Sequence, residues 1–307
     1  MRRDIEFKSK GITCRGWLYL PDEGKRPFPI VVMAGGWCYV KEIVMPHYAD
    51  LFVKNGLAAL LFDYRNLGAS DGSPRQHLNP QDQIEDYRNA ISFIQTLPDI
   101  DPERVGVWGI SYSGGHVLIL GAIDPRVKCV VSTVPVVDGY TNLRRVHGTM
   151  GFRRLLNVIE EDRKKRFEKE ENFGYIAQSV PDPETTPCTW PFPESYEAFK
   201  QIQNSEAPRH EHRSTIESTE LLMSYNVFPF LRRILNVPVL MLVADGDDHT
   251  AWDLEIEAYH QIPSPTKRLF IIPQTSHITL YNTRSKLEFA AKNATEWLAE
   301  HLIKAYE

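Results

Sequence analysis

Four cysteines in 307 residues, Cys14, Cys38, Cys129 and Cys188, are too few and too scattered to staple a fold. They form neither a CxxC pair nor a metal-ligand spacing, so reduced thiols in a cytoplasmic protein are the simplest reading. No apolar run is long enough to span a bilayer. The N-terminus, Met1-Arg2-Arg3-Asp4-Ile5-Glu6, turns charged where a secretory leader would turn apolar. Positive charge is not in excess either. A net charge of −5 without a basic stretch argues against a nucleic-acid partner. No internal repeat is evident, and the sequon Asn293-Ala294-Thr295 reads as helix sequence. With 42% hydrophobic and 24% charged residues, the chain fits one large α/β domain carrying an insertion.

What is present alternates between strand and helix patterns. Residues 4–20 read as two antiparallel strands that turn at Lys10-Gly11. Continuous apolar runs at 29–34, 57–62, 105–108, 127–134, 237–243 and 268–273 read as strands buried on both faces. Helical spacing is expected near 46–55, 81–97, 252–260 and 285–305, and the alternation implies a mostly parallel, doubly wound sheet. Between residues 139 and 232 the rhythm breaks: no convincing buried strand appears, a charge run spans 160–171, and aromatics are frequent. So long an excursion between sheet strands is seldom a bare loop. The chain therefore divides into a core, 1–138 with 233–307, and a mainly helical cap over 139–232. The charge run is expected to be a solvated helix face.

The centre of the pattern is Gly109-Ile110-Ser111-Tyr112-Ser113-Gly114-Gly115, set between the apolar run at 105–108 and an apolar helix. A serine held on a sharp strand-to-helix turn needs small neighbours two before and two or three after it, and Gly109, Ser113 and Gly114 meet that requirement. Ser113 is the competing nucleophile, but its third neighbour would be His116, which is too large.

Serine alone is a poor nucleophile and needs a base, an orienting acid and donors for the oxyanion. In an open parallel sheet these groups belong at the carboxyl ends of strands. His277 follows the last strand and Asp247 the one before it, so the order is serine, acid, histidine. Asp247 is favoured because it lies a short step into its loop; Asp248 and Asp138 are the alternatives. The backbone N–H groups of Tyr112 and Trp37, the latter in the Gly35-Gly36-Trp37 loop, are the expected oxyanion donors.

On these stretches the chain resembles an α/β-hydrolase over almost its whole length. It is most similar to the dienelactone-hydrolase-like and Xaa-Pro-dipeptidyl-peptidase-like branch that includes fungal polyketide transferases and thiohydrolases. The matching residues are Val32 to Trp37 with Val40-Lys41-Glu42, Phe62 to Arg65, Gly68 to Gly72 with Pro74-Arg75-Gln76, Gly109 to Gly115, Val243 to Thr250, and His277. The resemblance implies triad roles for Ser111, Asp247 and His277, and substrate selection by the cap. One departure is Gly35-Gly36, where this branch often has His-Gly.

The expected activity is cleavage of an ester or thioester of a medium-sized apolar or aromatic acyl substrate through an acyl-enzyme on Ser111. C–C bond hydrolysis, acyl transfer and Xaa-Pro peptide cleavage use the same constellation. A non-catalytic ligand-binding protein on this fold, like the hydrolase-fold hormone receptors, is the alternative of a different class. Tyr140, Trp190 and Tyr225 are the expected cap contributions to the pocket. Neither a cofactor nor a metal is expected, because His210-Glu211-His212 lacks a third ligand at usable spacing. The expected partner is a small-molecule acyl substrate, with no nucleic acid and no membrane; a homodimer is left open. His116 and His249 are expected to be structural, and Asp63 and Arg65 to brace a strand end near the site.

Overall fold

A computed structural model of the protein describes residues 1–306. The chain opens with the hairpin β1 (Arg2–Ser9) and β2 (Ile12–Tyr19). It continues through β3 (Phe28–Ala34), α1 (Met45–Lys54), β4 (Ala58–Phe62), α2 (Pro80–Ile94), β5 (Ile100–Ile110), α3 (Tyr112–Ile123) and β6 (Val127–Thr133). An excursion then carries α4 (Gly139–Glu168), β7 (Tyr175–Ala177), α5 (Pro193–Ser205), β8 (Arg213–Thr215), α6 (Ile216–Met223) and α7 (Phe228–Leu231). The sheet resumes with β9 (Val239–Ala244), α8 (Trp252–Gln261), β10 (Lys267–Ile272), α9 (Thr279–Asn282) and α10 (Arg284–Leu302). Among the described residues, no helix is long and apolar enough to cross a membrane.

Eight strands form one sheet in the order β1-β2-β4-β3-β5-β6-β9-β10. The β1, β2 and β4 pairings are antiparallel, and every pairing from β4 through β10 is parallel. This is the doubly wound architecture that the alternating pattern implies. The reason lies in the strands: β3, β4 and β9 are buried at every position. Along β3, Ile30 and Val32 join one core with Tyr87 and Ile91 of α2 and Val117 of α3. Val31 and Met33 join the opposite core with Tyr48 and Phe52 of α1 and Ala290 of α10. A strand whose alternate residues both face packed helices has no room for polar side chains. Each such side chain contributes about 1.5–3 kcal/mol of burial.

The chain moves from β3 to β4 on one side and then to β5 on the other. That reversal opens a crevice at the carboxyl ends of β3 and β5, where such sheets hold their ligands. The excursion between β6 and β9 is mainly helical, with α4 interrupted at Gly148 (φ 60°, ψ −177°). Its three-residue strands β7 and β8 pair antiparallel. They are too short for an alternating pattern, so the sequence carries no sign of them. The charge run lies mostly on the exposed second half of α4 and its end.

Candidate active site

Ser111 sits between β5 and α3 with φ 59° and ψ −119°, a conformation that L side chains rarely adopt. The surrounding structure over-determines it. Ser111 N–H donates to Thr133 O (2.9 Å) and its carbonyl accepts from Val136 N–H (3.0 Å). A Cβ on Gly109 would lie 2.2 Å from Ser113 O, and one on Gly114 would lie 2.9 Å from Thr133 O. These are the small-residue requirements of the turn, now visible as distances. Ser113 is committed elsewhere: its Oγ donates to Ala34 O (2.6 Å) and accepts from Ile110 N–H (3.1 Å).

Ser111 Oγ lies 3.2 Å from His277 Nε2, and His277 Nδ1 lies 2.8 Å from Asp247 Oδ2. All three side chains are buried. His277 stands in the loop between β10 and α9, which allows Tyr281 of α9 to bring its hydroxyl to 3.5 Å from His277 Nε2. Asp247 Oδ1 accepts from the N–H groups of His249 (2.8 Å) and Thr250 (3.1 Å), which leaves Oδ2 for the imidazole. Burial acts to raise the Asp247 carboxyl, but His277 and the backbone donors outweigh it and hold it below the usual carboxylate range. Of the alternative acids, Asp138 caps α4 by accepting from Thr141 N–H. Asp248 contributes no hydrogen bond to the group.

The loop after β3 runs against the serine. A Cβ on Gly36 would lie 2.9 Å from Ser111 Cβ and 3.1 Å from Ile110 O, so only glycine admits this approach. Trp37 N–H makes no backbone hydrogen bond among the described residues. Tyr112 N–H opens α3, where helix N–H groups have no partner within the helix. The far side of the loop is anchored by a buried ion pair, Lys41 Nζ to Asp63 Oδ2 (2.7 Å), while Lys41 N–H donates to Asp63 Oδ1 (2.7 Å). Arg65 is bound in turn to the buried Asp86 (2.6 Å). The two residues expected to brace the strand end each hold a buried opposite charge.

Above Ser111 is a small cavity of ≈ 20 Å3, walled mainly by Trp37, Trp190, Phe199, Gln178, His249 and His277. That is room for about one water molecule, so a larger ligand requires the wall to open. Trp190 of the excursion is on the wall, 6.3 Å from the Trp37 ring and edge-on to it. Two expected wall residues are elsewhere. Tyr140 is 52% exposed and sets its ring against Phe152, because its position on the first turn of α4 faces outward. Tyr225 is buried behind Tyr112 (4.9 Å between rings), and its hydroxyl pairs with His116 Nδ1 (2.9 Å). The Tyr112 ring likewise packs inward, against Trp37, His116 and Tyr225, and does not face the pocket.

The structure packs His249, expected to be structural, against the candidate base, and it adds Glu255, which sequence reasoning did not single out. His249 stacks on His277 (5.0 Å, 9°) and under Phe192 (3.6 Å, 18°), and its Nε2 pairs with Ser195 Oγ (2.7 Å). Burial, then the neighbouring His277, push its pKa down to about 3. Glu255 is fully buried and accepts from the Thr250 hydroxyl (2.6 Å). Burial, then the charge of Asp247, hold its carboxyl well above the usual range. A polar residue inside a helix carries no sequence pattern that marks it. His210 holds the excursion to the core, its Nδ1 meeting Cys38 O (3.1 Å), while His212 Nε2 meets Ser179 O (3.0 Å) within the excursion. Among the described residues, no group of three or more His, Cys, Asp or Glu is placed to hold a metal ion.

Comparison with known proteins agrees with this picture. Residues 11–279 match the X-Pro dipeptidyl-peptidase (S15) family. A thiohydrolase of Aspergillus aculeatus is 30% identical over 286 residues, 89% of this chain and 86% of the relative. A polyketide transferase of Aspergillus fumigatus is 27% identical, covering 92% of each chain. Among solved structures, an α/β-hydrolase from a Penicillium species superposes with a TM-score of 0.81 at 22% identity, over 98% of this chain and 99% of that one.

Proposed function

The chain belongs to the X-Pro dipeptidyl-peptidase (S15) family and is an enzyme of the α/β-hydrolase kind, and on that footing we propose that it is a serine hydrolase of acyl esters or thioesters. The observation that carries the reading is His277, within hydrogen-bond reach of both Ser111 and Asp247. His277 takes the Ser111 proton as Oγ attacks the acyl carbonyl, and Asp247 holds the imidazole in the orientation and tautomer that this needs. The oxyanion is met by Trp37 and Tyr112 N–H. His277 returns its proton to the departing alkoxide or thiolate, and water then releases the acyl group from Ser111 by the same route in reverse. The names of relatives that align along most of their length, thiohydrolase and polyketide transferase, favour an acyl thioester over a peptide.

Residues 139–232 act in this proposal as the cap that selects the substrate, with Trp190 and Phe199 supplying apolar wall opposite Trp37. Ser111 is only 6% exposed, so the acyl compound enters when the cap moves aside. The acyl group is medium-sized and apolar or aromatic, matching the indole-lined wall. A fluorophosphonate probe tests the nucleophile: it labels wild type and spares Ser111→Ala. A series of esters and thioesters of increasing acyl bulk tests the cap: larger aromatic acyl groups are cleaved faster than acetyl, and Trp190→Ala erases the difference. Folded protein that resists the probe would be a ligand-binding member of the fold. Equal cleavage of acetyl and bulky compounds would remove the cap from specificity.

A further inference from the structure

Two buried polar atoms on residues of the Ser111 pocket have no partner. Gln178 follows β7, is 3% exposed, and has its backbone held on both sides. Its N–H donates to His212 O (3.0 Å) and its carbonyl accepts from Trp190 N–H (2.8 Å). Its side-chain Oε1 meets no donor, and Trp37 Nε1 meets no acceptor, among the described residues. Both residues line the pocket. The neighbouring polar groups are already engaged: Ser195 Oγ with His249, Thr250 Oγ1 with Glu255, and Ser111 Oγ with His277. Buried polar groups are nearly always hydrogen-bonded, so an idle acceptor and an idle donor around one pocket point to a ligand that supplies both partners.

We propose that Gln178 and the Trp37 indole form a subsite for a hydroxyl group on the acyl chain, so that the substrate is a hydroxyacyl ester or thioester. This rests on Ser111 as the nucleophile. A hydroxyl has both the donor that Gln178 Oε1 lacks and the acceptor that Trp37 Nε1–H lacks, whereas a ketone can only accept and a methylene does neither. A site built around a hydroxyl rejects the analogue that lacks it far more strongly than an apolar slot rejects one methylene, because its own groups are left unpaired. Gln178 is thereby the specificity residue, and its place in the excursion explains how the cap reads a polar feature within an otherwise apolar wall.

The test is kcat/KM for acyl thioesters of one chain length that carry hydrogen, hydroxyl or ketone at successive carbons, on wild type, Gln178→Leu and Gln178→Glu. The expected result is at least a tenfold preference for one hydroxyacyl compound in wild type. Gln178→Leu loses that preference while still reacting with fluorophosphonate. Gln178→Glu keeps the acceptor and the size, and keeps the rejection of the unsubstituted chain. Equal use of unsubstituted and hydroxyacyl compounds by wild type overturns the inference, as does a preference for the ketone or a hydroxyl preference that survives in Gln178→Leu. The wild-type ratio decides even if both variants fail to fold. Failure of the nucleophile reading looks different: the probe then leaves wild type unlabelled and no acyl compound is turned over.

Discussion

The sheet is held by apolar burial on both its faces, whereas the excursion above it adds polar links to its apolar contacts. Strands β3, β4 and β9 are apolar and buried throughout, and helices cover both their faces. The excursion leans on polar links. Arg166 of α4 bonds Asp162 (2.8 Å) and, on α6, Glu217 (2.9 Å) and Glu220 (2.6 Å), while Arg163 also pairs with Glu220. Its seam with the core combines apolar packing, with Trp190 against Trp37 and Phe199 against Tyr39, and single hydrogen bonds, such as Thr215 N–H to Gln76 O (3.0 Å), Ser218 Oγ accepting from Leu78 N–H (2.8 Å), and His210 to Cys38 O. Apolar burial acts over whole faces and fixes atoms closely, whereas scattered hydrogen bonds are each worth about 1 kcal/mol and can be exchanged for water. Ser111, Asp247 and His277 stand in the turns that follow β5, β9 and β10. Trp190 and Phe199, which make way for the substrate in the proposed function, sit in the excursion, where apolar packing and exchangeable hydrogen bonds act together.

The largest effect that separates the two regions is chemical. Asp247→Asn lowers kcat by about 10^4-fold, because His277 loses its orienting carboxylate. The sheet is untouched, so the circular dichroism spectrum and fluorophosphonate-independent stability stay near wild type. If Asp248→Asn or Asp138→Asn were the crippling change, the acid assignment would be wrong.

Acid strikes the seam next. Burial pushes the pKa of His210 and His249 to about 3 and that of His212 to about 4, from a usual value of 6.5. These folded-state values are depressed, so the unfolded or opened form binds protons that the closed form refuses. Their contribution to stability is complete above about 6.5 and is lost progressively as pH falls from about 6.5 toward 3–4. His210 and His249 lie at the seam and His212 beside His210 within the excursion, against His116 (about 3) beneath the elbow. Tryptophan fluorescence, which senses Trp37 and Trp190, therefore shifts at higher pH than far-ultraviolet circular dichroism. Coincident transitions would mean that cap and sheet open as one unit.

The smallest effect comes from the excursion's ion pairs. Arg166→Ala removes the links between α4 and α6, costs about 1–2 kcal/mol in local opening of those helices, and changes kcat by less than about threefold. Hydrogen exchange resolved by segment measures the first and steady-state kinetics the second. A loss of activity as large as that of Asp247→Asn would erase the distinction between the two regions.

The same division decides what could be read from sequence. The elbow was legible because its constraints are local: Gly109 and Gly114 are dictated by atoms within a few residues or on the adjoining strand. Asp247 and His277 were legible from chain order and their places after successive strands. Trp190 faces the site, but Tyr140 turns to solvent and Tyr225 lies behind Tyr112, since the facing of a residue in an irregular excursion depends on contacts far away in sequence. His249 was marked by its place beside Asp247 as structural, though its stacking on His277 was not; Glu255 beneath Thr250 and Gln178 after a three-residue strand obey no period, and nothing in the residue string marks them.

The excursion leaves and rejoins the sheet through a narrow neck. Gly139 N–H donates to Tyr225 O (2.9 Å) and Val227 N–H to Val137 O (2.8 Å), so its two stems are zipped side by side before the helices begin. Strands β6 and β9, which flank it in sequence, are also neighbours in the sheet. The open sheet below is therefore joined covalently to the excursion at two adjacent stems, whatever lies between them. Such a segment behaves as an exchangeable cassette: its length, its helices and its wall residues can drift or be transplanted while the stems preserve the register of β6 and β9. In the proposed function, replacing this single contiguous stretch of chain refits one elbow and one histidine to another acyl group.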